Sequence, residues 1–232
     1  MSKKKEKAIL SWSGGKDSSL ALHAVSLAGN YEISALLTTV TEGYQRISMH
    51  GIRRSLLHQQ AKSLGIPLIE VDIPQKSDMQ TYEDRMESAL RAQIELGIST
   101  VIFGDIFLED LRDYRVENLK LLDLNARFPL WKKDTRQLAD SFIQQGFKAS
   151  VAVVDTNVLD ASFAGRPFTT EFLNDLPANI DPCGENGEFH TFAYDGPIFD
   201  FPIEHSMGEV VLRDKRFNFA DFIPAHNANK ES

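Results

Sequence analysis

SWSGGKDSSLALH, residues Ser11 to His23, joins an apolar run to a helix-like one through two glycines, a lysine and an aspartate. Before it, AILSW (residues 8–12) has the length and polarity of a buried strand. After it, SSLALHAVSLA repeats its apolar residues at helical spacing. A strand that feeds a helix in this way leaves the helix N-terminus at the strand's end, with unpaired N–H groups and about half a positive charge. Glycines there let the backbone approach an anion closely, and a phosphate is the natural occupant. Lys16 adds a point charge, Ser18 a hydroxyl, and Asp17 a first-turn carboxylate that also suits magnesium. The spacing is not that of G-x-x-x-x-G-K-[ST], because Gly14 and Gly15 are adjacent and no glycine stands five residues ahead of Gly15. The plainer reading, a tight turn with a solvent-facing lysine, stays open on these residues alone.

Outward from this corner, strand and helix patterns alternate. ISALLTTV (33–40) reads as a strand, Ile52 to Leu64 as a helix, LIEVDI (68–73) as a strand, and TYEDRMESALRAQIELG (81–97) as a helix closed by Gly97. TVIFGDI (100–106) is a fourth strand stopping at Gly104-Asp105. A helix near Glu109 to Leu124 follows, and ARFPLW (126–131) is a short fifth strand. This alternation implies parallel crossovers and an α/β fold with an open, Rossmann-like parallel sheet. Ligands bind such sheets beyond the carboxyl ends of the strands, where strand order reverses. Gly14, Thr38–Thr41 and Gly104-Asp105 are expected to converge there, with Thr39 as a nucleotide contact. After Trp131 the pattern changes to a helix, a strand (148–155), Gly/Pro/Asn/Asp-rich turns and short Phe-rich strands. Residues 1–131 are therefore read as a nucleotide-binding domain and 132–232 as a smaller α+β domain.

The chain has 232 residues, 42% of them hydrophobic, with a net charge of −8. That balance argues against a nucleic-acid partner. No stretch reaches the ~18 apolar residues of a membrane span, and the basic start has no apolar stretch behind it. A single cysteine fits a reducing compartment, so the expectation is a cytoplasmic protein that binds neither membrane nor nucleic acid.

Three further segments carry chemistry. FGDIFLEDLRDYRVENL (103–119) is either a strand-end turn followed by a solvated charged helix, or the wall of a site. PCGENGEFHT (182–191) is a surface hairpin or a binding loop, with Gly and Asn explained by turn chemistry in the first case. RISMHGIRR (46–54) gathers Arg46, His50, Arg53 and Arg54, a basic cluster suited to an anion or a solvated helix start. Cys183 has no base placed beside it by sequence, and no His/Cys spacing reads as a zinc site. Trp12 and Trp131 are expected to pack at strand ends.

SGGKDSS resembles the pyrophosphate loop of the PP-loop ATP pyrophosphatase superfamily, whose members bind ATP on a Rossmann-like sheet and cleave between the α- and β-phosphates. The resemblance makes Ser13, Gly14, Gly15, Lys16, Asp17 and Ser18 phosphate contacts. GDI…R…EN is similar to a segment of the diphthine–ammonia ligase family within that superfamily. It implies that Gly104 and Asp105 lie near the nucleotide and that Arg115, Glu117 and Asn118 face the cleft. ENGEFHT resembles that family's EGGEFET, with Asn186 for a glycine and His190 for a glutamate. The resemblance therefore points to a bacterial branch with an acceptor other than diphthine, linked to cobalamin salvage. It assigns Glu185, Asn186, Gly187, Glu188 and His190 to the substrate, with Lys16, Asp17, Glu185, Glu188 and His190 catalytic. The family also carries a histidine-containing segment near His50, which joins the nucleotide contacts. His190 suits acid–base work, its unperturbed pKa lying near 6.5.

The implied activity is an ATP- and Mg2+-dependent amide ligase. A carboxylate is activated as an acyl-adenylate and attacked by ammonia or an amine, Asp17 holds the metal, and the loop donors neutralise departing pyrophosphate. A tRNA-modifying PP-loop enzyme and a non-catalytic ATP or AMP sensor are the alternatives. An exposed edge strand in the second domain is expected to allow a homodimer.

Overall fold

The computed structural model describes residues 5–43, 46–47 and 51–225; His50 lies outside them. Strand β1 (Glu6–Ser11) leads into helix α1 (Lys16–Ala28), followed by β2 (Tyr31–Thr41), β3 (Arg46–Ile47) and α2 (Arg54–Leu64). Then come β4 (Leu68–Ile73), α3 (Met79–Glu95), β5 (Thr100–Ile102), α4 (Glu109–Lys120) and β6 (Asn125–Arg127). β1 lies between β2 and β5 with parallel pairing on both sides; β4 adds beside β2 and β6 beside β5. The parallel strands thus run β4-β2-β1-β5-β6, and strand order reverses between β1 and β5. The expected Rossmann-like sheet is what forms, with one addition: the two residues of β3 pair antiparallel with Val40 and Thr41. The fourth helix ends at Lys120 rather than Leu124, and the fifth strand is displaced to Asn125–Arg127.

Strand alternation explains the two faces of this sheet. Ile9, Leu37, Val101 and Phe103 point to the face that also holds Leu90 of α3 and Leu119 of α4. Ala8, Leu10, Leu36 and Ile102 point to the other, where α1 and α2 lie. Asp78 starts α3 by accepting the Thr81 amide, a side-chain cap that local sequence dictates.

After α5 (Thr135–Gln144), β7 (Lys148–Asp155) begins a second sheet. A short 3-10 turn (Ala161–Phe163) and α6 (Thr170–Asp175) precede β8 (Phe189–Asp195), β9 (His205–Arg213) and β10 (Phe217–Pro224). All pairings are antiparallel, in the order β8-β7-β10-β9. The apolar core does not stop between the sheets: Leu20, Leu22 and Val25 of α1 share one cluster with Val151, Phe189 and Phe192. α1 is therefore enclosed between the parallel sheet and β8. Among the described residues, no helix is long and apolar enough to cross a membrane.

Candidate nucleotide site

The corner between β1 and α1 lies at the point where strand order reverses. Gly14 has φ +77°, a left-handed conformation that side chains resist, and a Cβ there would meet Gln60 Oε1 at 2.8 Å. Gly15 is different: its φ of −99° is ordinary, but a Cβ would sit 2.9 Å from the Thr191 carbonyl oxygen of β8. The second glycine thus makes room for the second sheet. Gly104 completes the arrangement, since its missing Cβ would stand 2.9–3.0 Å from the Asp17 carbonyl and the Ser18 amide. Gly104 thus lets the segment after β5 pass directly against the first turn of α1.

Part of that helix terminus is satisfied by the protein itself. The Gly15 N–H donates to Ser13 Oγ at 3.3 Å and the Lys16 N–H to Thr191 Oγ1 at 3.0 Å. Ser13 and Ser18 hydroxyls lie 3.2 Å apart, and Ser18 Oγ donates to the Gly15 carbonyl. The Lys16 side chain is only 2% exposed. Its ammonium donates to the Asp17 carboxylate at 2.8–2.9 Å and to the Cys183 carbonyl, and sits 5.7–5.9 Å from the Phe168 and Phe189 ring centres. Burial alone would push this ammonium's pKa down; attraction to Asp17 outweighs it and holds Lys16 above the ordinary lysine range. The lysine stays charged and spans the two sheets.

The Asp181–Glu188 turn forms the opposite wall. Asp181 Oδ1 accepts the amides of Cys183 and Glu185, and Glu188 accepts the amides of Asp181 and Asn186. Asn186 Nδ2 donates to Glu188 as well, although Asn186 itself is exposed. Gly187 has φ +84° at the turn's tip, and a Cβ there would enter open space. The Glu185 carboxylate reaches the segment after β5, accepting the Ile106 amide at 2.8 Å. Burial pushes Glu185 up to about 7, against those backbone donors. Burial also pushes the Cys183 thiol up, and its Sγ donates to the Thr135 carbonyl, so it has the character of an inert core thiol.

The structure thus brings Ser13, Gly14, Gly15, Lys16, Asp17, Ser18, Gly104, Glu185 and Glu188 around one junction. Asp105 stands at its edge, paired with Arg115 at 2.8 Å, and the Arg115 guanidinium covers the Phe103 ring at 4.5 Å. Glu117 is exposed on another side of α4 and is not brought in; Asn118, half-buried, lies one turn from Arg115. Thr39 is half-buried near the end of β2, paired in register with Val71. His190 alternates with Phe189 and Thr191, which both meet Lys16, so it belongs to the opposite face of β8. The basic cluster does not stand open either: Arg46 and Arg53 pair with Asp221, and Arg54 with Glu70. Among the described residues, no group of three or more His, Cys, Asp or Glu is placed to hold a metal ion.

Sequence reading missed Gln60, which is fully buried. Its Oε1 accepts the Trp12 indole N–H at 3.0 Å, and its Nε2 donates to the carbonyls of Gly14 and Ala193. The signal was present: Leu56, Leu57, Ala61 and Leu64 make an apolar helix face, and Gln60 is the polar residue on it. Asp181 was missed as well, although the amides it accepts lie within four residues of it; Thr191 was missed because its partner, the Lys16 amide, is 175 residues away.

The family model described as diphthamide synthase N-terminal domain matches residues 6–121, and the one described as diphthamide synthase C-terminal domain matches residues 134–219. The diphthine–ammonia ligase of Schizosaccharomyces pombe is 30% identical over 227 residues, a match covering 85% of this chain and 37% of that protein. The diphthine–ammonia ligases of Bos taurus and Homo sapiens are each 26% identical, over 226 and 229 residues, covering 86% of this chain and 82% and 83% of theirs. The chain therefore spans little more than a third of the yeast relative but most of the length of the two mammalian ones.

Proposed function

The chain belongs to the diphthamide synthase family of PP-loop proteins, and from that premise we propose that it joins an amine, ammonia in the simplest case, to a substrate carboxylate at the expense of ATP. The single observation that carries this reading is the meeting of Gly14, Gly104 and the first turn of α1 where strand order reverses. In this reading a β- or γ-phosphate sits beside the first turn of α1, drawn by the Asp17 and Ser18 amides and the Ser13 and Ser18 hydroxyls. Lys16 acts from beneath: its charge raises the potential at the corner, while its hydrogen bonds hold Asp17 and the Cys183 carbonyl in place. Asp17 is the residue to share a magnesium ion with phosphate oxygens, since that metal commonly takes one or two carboxylates and completes its shell with phosphates and water.

When bound, ATP supplies the adenylyl group that makes a carboxylate oxygen a leaving group. The chain's own part is positional. The α1 terminus neutralises pyrophosphate as it departs. The Asp181–Glu188 turn walls off water, and Glu185, with its pKa near neutrality, is suited to take a proton from the incoming amine. Glu188 serves by shaping that turn. Asn186 and His190, where this chain departs from the family's form, stand outside the Lys16 junction, and they are the positions from which a different acceptor would be read.

The test is to incubate the protein with MgATP, ammonium and a panel of carboxylic acids, protein-borne ones included. AMP and pyrophosphate released in step with amide formation are expected; ADP as the sole nucleotide product would contradict the reading. One observation favours a second reading, a nucleotide-binding sensor: the corner's lysine and two of its amides already have partners within the chain. ATP affinity with no AMP formed across the panel would select it.

A further inference from the structure

The four-stranded sheet ends in an unguarded edge. Among the described residues, β9 pairs with β10 on one side only. Edge strands normally carry prolines, lysines or inward charges against unwanted pairing, and from its irregularity onward β9 reads Glu209-Val210-Val211-Leu212-Arg213. Val210, Val211 and Leu212 are 43%, 41% and 56% exposed. The extra residue that β9 carries lies between Met207 and Val210, so Val210–Arg213 is the regular stretch and Glu209 adjoins it at the irregularity. Glu209, Val211 and Arg213 alternate on one face, where they line a shallow hollow with Phe219 and Ile223. Among the described residues neither Glu209 nor Arg213 has an ion-pair partner in its own chain; Arg213 lies over the Phe219 ring, 5.4 Å from its centre.

We propose that β9 pairs antiparallel with β9 of a second copy, about a two-fold axis through Val211, to give a continuous eight-stranded sheet. The occupant is argued from charge. A two-fold interface is self-complementary, so each residue must suit the one that symmetry sets opposite it. With Val211 facing its own copy, Glu209 of each chain faces Arg213 of the other, and Val210 faces Leu212. Moving the axis by half a residue or more along the strand separates both charge pairs. The register thus satisfies the two unpaired charges and covers the exposed apolar side chains on the other face, the arrangement that cross-strand pairing favours. The turn between β9 and β10 leaves the edge open, since Asp214 and Lys215 take φ near +50° and the chain reverses within the three residues 214–216.

The test uses the whole chain and sedimentation equilibrium at several concentrations. The wild type is expected to run at twice the 26.1 kDa chain mass in the micromolar range. Glu209→Arg and Arg213→Glu, each alone, set like charges opposite one another twice per dimer and are expected to raise the dissociation constant at least tenfold. The double variant restores opposite charges and is expected to return to within threefold of wild type. These side chains are exposed, and circular dichroism of each variant verifies folding. A wild-type monomer at 100 µM would overturn the proposal, as would a dimer indifferent to the single reversals or one the double variant fails to restore.

Discussion

The corner at Ser13–Ser18 and the turn at Asp181–Glu188 are both tight loops that feed a regular element, and they are held in opposite ways. The turn closes on itself: two of its carboxylates take up four of its own amides. The corner leans on distant parts of the chain. Its first glycine is packed by Gln60, its second lies under the Thr191 carbonyl, its carbonyl at Gly14 accepts the Ala193 amide, and its lysine holds the Cys183 carbonyl. A self-supporting turn is a fixed wall, and a dependent corner takes its shape from that wall. The proposed nucleotide site is accordingly a property of the two sheets together, and the glycine motif alone does not make it.

Breaking the wall should have the largest effect. Glu188 is 5% exposed, and Glu188→Ala leaves the Asp181 and Asn186 amides without their acceptor. The expected loss is about 3 kcal/mol of unfolding free energy in urea, on the scale of buried groups left unsatisfied. ATP affinity should fall with it even in the fraction that stays folded. Unchanged affinity would mean that the corner is autonomous and the contrast false.

Breaking the contact from the corner's side comes next. Gly15→Ala keeps an ordinary φ but sets a methyl 2.9 Å from a backbone oxygen, which cannot swing away as a side chain would. About 2 kcal/mol of overpacking is expected, read by thermal or urea unfolding. Loss of nucleotide affinity at full stability would instead show that Gly15 serves the anion directly.

The third test concerns pH. Burial raises the Glu185 pKa in the folded chain to about 7, from an ordinary 4.5. The folded state therefore holds that proton more tightly than the unfolded one. The resulting stability is fully present below pH 4.5 and is lost as pH rises through 7. Glu185→Gln keeps an oxygen to accept the Ile106 amide and removes the titration. Its melting temperature should match wild type at pH 4.5 and measurably exceed it at pH 8. A constant difference across that range would remove Glu185 as the titrating group.

The alternation of strands and helices was legible because buried parallel strands and amphipathic helices leave local periodicities. The Gly14-Gly15 corner was legible for the same reason, as a local change of backbone direction. The role of Lys16 was not. Its position beside the glycines suggested a phosphate ligand, whereas its ammonium is directed at a carbonyl 167 residues further on. Nothing in a short window records such a partner. His190 could have been placed better: with the strand taken to start at Phe189, simple alternation separates it from Phe189 and Thr191. The glycines and carboxylates of PCGENGEFHT make it read as a loop although Phe-rich strands are expected from Phe189 onward; its last three residues, Phe189 to Thr191, already belong to β8. The arginines near Arg46 looked like an anion site because Asp221, the carboxylate that neutralises two of them, lies in the other sheet.

Hydrogen exchange of the full chain, with and without MgATP, tests the central claim most directly. If the α1 terminus grips the phosphates between the two sheets, the peptide covering Trp12–Ser19 should exchange at least tenfold more slowly with nucleotide present, together with the peptide around Gly104. Protection confined to other segments, with Trp12–Ser19 unchanged at saturating nucleotide, would contradict the account.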